Sequence, residues 1–316
     1  MKGKIVYIII SALTLLTYSC NEQISANAPF RERYILNGII KGDTTFQVVT
    51  LSHSYQPEGL DPLEYTNDPV IKNANVNVYY DFKVYHMRDT VIVRTDTSRY
   101  SDSLRFYYND KLKPEPGKVI EIDAFLPNGL LLQSSTETPD LPSYGFFDSK
   151  SNNLVPPSFG TDIRIFWKDL GGVVYVPDLN INYYVKDDTL LHKTRLPLID
   201  ISKGGTVKEI FPTPSRNNFI TLNLETIKRT LNKIPTGGRS KKDYSITNIM
   251  LDMIIYDKFL SNYYSSIKQG LDGFTVKLDS PDFSNIQGGF GIFGSYVKTN
   301  YKISFQPEFL ESLGFR

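Results

Sequence analysis

Apolar side chains recur at every second position through much of the chain, in short runs closed off by Gly, Pro, Asn and Asp. That is the period of a strand with one buried face. Tyr34–Ser54 carries two such runs, rich in Ile and Val and parted by Lys41-Gly42-Asp43, and reads as strand, turn, strand. Ala74, Val76 and Val78 alternate with Asn75 and Asn77, which predicts a half-buried strand over Asn75–Tyr80. Between Asp89 and Tyr108, Val91-Ile92-Val93 and Phe106-Tyr107-Tyr108 predict two more. Pro114-Glu115-Pro116-Gly117 is a turn. Val119–Phe125 then alternates with Glu121 and Asp123 outward, and Pro127-Asn128-Gly129 reverses the chain into Leu130–Thr136. Short strands with turn signals at about 8–12-residue spacing indicate a sandwich, so residues 30–140 read as one all-β domain.

Pro139, Pro142, Pro156 and Pro157 punctuate a linker or crossing segment, after which Thr161–Lys168, Val173–Val176, Leu179–Val185 and Leu190–Leu198 have strand character. Asn218–Leu222 leads into a helix near 224–233: Asn223 can cap it, Glu225 suits its positive end, and Leu224, Ile227 and Leu231 share a face. Tyr244–Tyr256 is long and apolar enough for a central strand. A second helix is expected over 257–269, with Asp257 as cap, Phe259, Leu260, Tyr263, Tyr264 and Ile267 on one side, and Gly270 as its stop. The fold class is therefore mainly β: a sandwich domain over 30–140, then a second β-rich domain over 141–316 with two helices.

The N-terminus does not fit the alternating pattern. Lys2 and Lys4 precede an apolar run, Ile5–Leu16, interrupted only by Ser11 and Thr14. It is too short for a bilayer core about 30 Å thick, which needs about 20 residues, and reads as the core of a signal peptide over 1–19. The run ends in Leu16-Thr17-Tyr18-Ser19-Cys20, and Cys20 is the only cysteine among 316 residues. This looks like a bacterial lipoprotein signal, with cleavage before Cys20, lipidation of its thiol and a polar tether over 20–29. A plain secretory leader with an incidental cysteine is the rival reading. More than one acyl chain anchors stably without a spanning helix, and the mature chain would hold without disulfides, as its size allows.

Charge narrows the partners. With 35 Lys+Arg against 34 Asp+Glu the formal charge is +1, which removes the electrostatic case for a nucleic-acid binder. Hydrophobic residues at 41% and charged residues at 22% are ordinary for a globular chain. Tyr and Phe, at 21 and 19 against one Trp, reinforce the β reading.

Candidate chemistry is sparse. His53, His86 and His192 are isolated, no His-x-x-x-His or paired Cys occurs, and no metal or cofactor site is expected. A dispersed Ser/His/Asp triad leaves no sequence signature, but the Gly-x-Ser-x-Gly nucleophile elbow is missing. Glu121 and Asp123 share one strand face, more in the manner of a solvated surface than of a glycosidase pair. Asp187-Asp188 reads as a turn without calcium-loop spacing. Gly288-Gly289-Phe290-Gly291-Ile292-Phe293-Gly294 lacks the features of a phosphate loop and suits bulges or close backbone approach. Gly237–Lys242 reads as a solvated basic turn. In Tyr79-Tyr80, Tyr107-Tyr108, Phe146-Phe147 and Tyr183-Tyr184, strand neighbours point opposite ways, so one ring of each is expected in the core and the other outside. Tyr263-Tyr264 is a fifth aromatic pair. An exposed Tyr is a good binding residue.

Tyr34–Ile40 running on to Val48–Ser54, Asn73–Asp81, Pro116–Thr136 with Pro139, and Asn285–Gly294 together resemble, in that order, the lipoproteins carrying "domain of unknown function 4249". The resemblance implies an outer-membrane lipoprotein with an immunoglobulin-like N-terminal β-sandwich domain, of a kind often encoded beside TonB-dependent transporters. No catalytic residues are established for that family and none is carried over. The expectation is a non-enzymatic accessory to nutrient uptake that binds a ligand or docks on such a transporter, held to the bacterial outer membrane through Cys20. The alternative is a structural or adhesive surface module that binds protein by a strand edge. A hydrolase would need clustered carboxylates or a Ser–His pair in a cleft.

Overall fold

Alternation produces strands over about half of the described residues. A computed structural model describes residues 30–56, 66–98, 100, 103–146, 154–155, 162–203, 206–269 and 283–315. Cys20, the leader over 1–19 and the tether over 20–29 lie outside the described residues, as does Phe147. In chain order the elements are β1 (Tyr34–Lys41), β2 (Gln47–His53), β3 (Asn75–Tyr80), β4 (Lys83–Ile92), β5 (Leu104–Asn109), β6 (Val119–Phe125), β7 (Leu131–Glu137), β8 (Tyr144–Phe146) and β9 (Leu154–Val155). There follow β10 (Asp162–Trp167), β11 (Val174–Val185), β12 (His192–Arg195), β13 (Ile199–Lys203), β14 (Thr206–Ile210), β15 (Phe219–Asn223), α1 (Leu224–Lys233), β16 (Tyr244–Tyr256), α2 (Lys258–Gln269), β17 (Phe290–Phe305) and α3 (Pro307–Ser312). The protein is mainly β, with large sheets.

The main sheet runs β12-β11-β16-β17-β1-β2-β5-β4-β3-β6-β7. At its far end it curls back: Gln133 of β7 exchanges backbone hydrogen bonds with Gln287, just before β17, at 3.1 and 2.8 Å. The curl encloses a first core that includes Leu36, Val49, Val78, Tyr107, Ile120 and Ile122, together with Ile286 and Phe293 from near the end of the chain. A buried Tyr hydroxyl is costly to leave without a partner. Tyr107 donates to the Ile71 carbonyl at 2.9 Å and accepts from the Ala74 amide at 3.0 Å. Its neighbour Tyr108 lies half exposed beneath Arg88, as alternation requires.

A second core forms where the small sheet β15-β10-β8 and α1 cover the inner face of β11, β16 and β17. Trp167, Tyr175 and Leu251 are buried there. Tyr144 stacks on Tyr301 at 5.1 Å, and burial pushes its hydroxyl up to about 12. Strand β17 serves both cores. Its first half pairs in parallel with β1, Ile35 beside Phe290 through Lys41 beside Tyr296, and its second half pairs antiparallel with β16. Phe293, Val297 and Ile303 share one face of β17, and position along the strand divides them: Phe293, opposite β1, lies in the first core, while Val297 and Ile303, opposite β16, lie in the second.

Three expectations are corrected. Val173–Val176, apart from Val173 itself, and Leu179–Val185 belong to one strand, β11, which runs through Pro177. Proline fits because β12 pairs only with Asn180–Tyr183 and the neighbouring Tyr175 bonds Ser215 instead, so no ladder needs the missing amide. The proline-punctuated linker contains β8, and β9 pairs with β17. To the two expected helices the structure adds α3, of six residues, too short to show a helical period but opened by Pro307 and held by buried Phe309 and Leu310.

Candidate functional site

The residues singled out for chemistry do not converge. His53 Nδ1 lies 3.0 Å from Glu32, His86 Nδ1 is 2.6 Å from Asn77 Oδ1, and His192 Nε2 is 2.7 Å from Asp188 in the turn before β12. Each is a local pairing. Glu121 is exposed on the outer face of β6, and Asp123 beside it accepts from Gln133 Nε2 at 2.9 Å. Among the described residues no three His, Cys, Asp or Glu side chains are grouped to hold a metal. The basic turn is a correction: it is a tie as well as a solvated loop. Lys241 Nζ donates to Asn232 at 2.5 Å and to the Leu313 carbonyl at 2.8 Å, and lies over Phe315, pinning the segment after α3.

The glycine–aromatic segment forms the start of β17, and its glycines allow close approach. Gly291 has φ +114°, and a Cβ there would meet the Leu36 carbonyl oxygen at 2.1 Å. Only glycine lets β17 run this tightly against β1.

The most heavily bonded buried carboxylate is Asp257, 3% exposed, at the seam between the two cores. Its Oδ1 accepts from the Leu260 amide at 2.6 Å and so caps α2, as the sequence suggests. Its Oδ2 accepts from the Ser295 amide at 2.6 Å, from Ser295 Oγ at 3.1 Å and from Thr136 Oγ1 of β7. Burial pushes the carboxyl above its ordinary range, and these donors pull it part of the way back. The chemistry is that of a structural node: both carboxylate oxygens accept from donors on α2, β17 and β7 and tie the three elements together. A cleft of about 370 Å³ opens beside it, lined by Glu137, Asp140, Lys258 and Phe259.

A second cleft, of about 480 Å³, is larger and more apolar. It lies between the base of the β13–β14 hairpin and the outer edge of β15, with Pro177, Leu198, Ile199, Ile210, Phe211 and Phe219 among its walls. Two cations sit over its aromatic rings: Arg164 over Phe219 at 4.9 Å and Arg195 over Phe211 at 4.5 Å. Arg195 also donates from Nε to Asp178 at 3.0 Å. The sequence offers a faint signal for this site: Arg164 and Phe166 occupy the outward positions of β10, and Phe211-Pro212-Thr213-Pro214 is a stiff aromatic run after β14. What joins them is the hairpin, whose short strands carry too few residues to register as a pattern.

No family model matches the chain and no curated protein does. A solved structure described as "Cytokine receptor complex - Crystal form 1A" aligns over 86% of this chain and 98% of that one, with 7% identity and a TM-score of 0.20. So slight a likeness supports no inference about function.

Proposed function

We propose that this protein is a non-enzymatic lipoprotein of the bacterial outer membrane, accessory to nutrient uptake, that binds a ligand or docks on a TonB-dependent transporter. The observation that carries the reading is the apolar run Ile5–Leu16 ending at Cys20, the only thiol in the chain. The transporter comes from the resemblance of the chain's strand motifs to the domain-of-unknown-function-4249 lipoproteins. An immunoglobulin-like sandwich over 30–140 belongs to the same proposal. Its support is the pairing order, β1-β2-β5 on one side and β7-β6-β3-β4 on the other, with β4 joining both: it pairs with β3 through Lys83–Met87 and with β5 through Arg88–Ile92.

The anchor is tested by Cys20→Ala. The variant should lose incorporation of labelled fatty acid and leave the membrane fraction; continued labelling would sink the lipoprotein reading. The partner is tested by affinity purification from detergent-solubilised outer membranes, with stoichiometric recovery of a TonB-dependent transporter expected. An adhesive module is the second reading, favoured by Phe82, which stands fully exposed at the β3–β4 turn with φ +57°. An aromatic ring in that backbone region gains nothing for the fold.

A further inference from the structure

We propose that the outer edge of β15 receives an extended segment of a partner protein as an added strand, one that carries alternating apolar residues and an acidic side chain. The backbone of β15 gives the first argument. The Trp167 amide donates to the Asn218 carbonyl, and Ile165 and Ile163 lie opposite Ile220 and Leu222. In an antiparallel ladder the hydrogen-bonded pairs alternate, so Asn218, Ile220 and Leu222 bond to β10. Phe219, Thr221 and Asn223 therefore turn their amides and carbonyls the other way, and the Asn223 amide does donate on that side, to the Leu198 carbonyl at 3.1 Å. Phe219 and Thr221 meet no backbone partner there among the described residues. Paired in one strand, the two could make up to about four backbone hydrogen bonds with an added chain.

The surroundings of this edge supply the rest. The free edge opens into the cleft walled by Ile199, Ile210 and Phe211, which suits apolar side chains on one face of an added strand. Beside the same cleft Arg164 leans over Phe219, and it makes no ion pair among the described residues, whereas Arg195 is taken up by Asp178. An unpaired guanidinium above the strand position selects a carboxylate on the incoming segment. At the far end the Leu198–Asn223 bond closes the edge, which fixes how far the segment can run. This inference goes beyond the accessory reading and stands whether or not Cys20 is lipidated.

The test is a random heptapeptide display library selected on the full chain purified in detergent, followed by fluorescence anisotropy of the enriched consensus peptide. The expected consensus alternates apolar residues and contains Glu or Asp. Thr221→Pro removes an amide that β10 does not use, so the variant should melt as the parent does while losing about a hundredfold in peptide affinity, through one lost bond and a blocked approach. Arg164→Glu, an exposed change independent of the backbone, should weaken the acidic peptide about tenfold or more. Three results would overturn the proposal: no enrichment over the Thr221→Pro chain, equal affinity in the parent and both variants, or a parent dimer in sedimentation that Thr221→Pro abolishes, which would assign the edge to a second copy.

Discussion

Asp257 concentrates the energetics of the seam in one carboxyl. Replacing it with Ala would strand the Thr136 hydroxyl and the Ser295 and Leu260 amides, and should cost about 2–4 kcal/mol of unfolding free energy, read from a lowered urea midpoint at unchanged slope. Its pH signature is separable from that cost. Burial raises its folded pKa above the unfolded value, so its contribution is fully present below the unfolded pKa and is lost as pH climbs through the folded one. Stability should decline across that window, and Asp257→Asn, which does not ionise, should remove the decline. Asp43 has the opposite sense: burial alone would raise it, but Lys298 Nζ, 2.5 Å from Oδ2, holds it below its ordinary range. Its contribution is lost as pH falls through that lowered value, and with both partners partly exposed it is worth little. The capping role of Asp257 is legible in the sequence because a cap is local, a short polar side chain just before an apolar helical face. Thr136 and Ser295 are not legible, because they arrive from 121 and 38 positions away.

At the level of elements, β17 shows what periodicity reveals and what it omits. Its glycines and aromatics announce close backbone approach, but nothing in them announces a parallel partner at the opposite end of the chain. Gly291→Ala tests the approach directly: a methyl group 2.1 Å from the Leu36 oxygen, at φ +114°, should cost about 3 kcal/mol or more and lower the melting temperature accordingly. Gly129→Ala is the control. It also has positive φ, +86°, but meets no atom within 4 Å, and should cost only about 1 kcal/mol. Strand β16 is read correctly to both ends because Tyr244–Tyr256 is long and bounded by Asp243 and Asp257. The hairpin β13–β14 is missed although it walls the candidate cleft. Its two strands have five residues each, and its value to the site depends on a neighbour, β15, that local sequence does not specify.

For the whole molecule, the decisive fact is that the first core is completed from the far end of the chain. Residues 30–140 contain β1 through β7 but neither Ile286 nor Phe293, and β1 lacks its parallel partner without β17. Expressed alone, this fragment should show poorly dispersed amide resonances, and a synthetic peptide covering 284–297 should restore dispersion; a fragment that folds without the peptide would refute the dependence. Contacts of this kind are kinetically expensive, since closing a long loop precedes any reward from it. The Ile292 amide meets Asn37 Oδ1 at 3.3 Å across 255 positions. A growing chain therefore cannot finish the first core until Phe293 has been made, so the strands β1 through β7 must wait, with Leu36, Val49 and Ile120 uncovered, for a segment that follows β1 by some 255 positions.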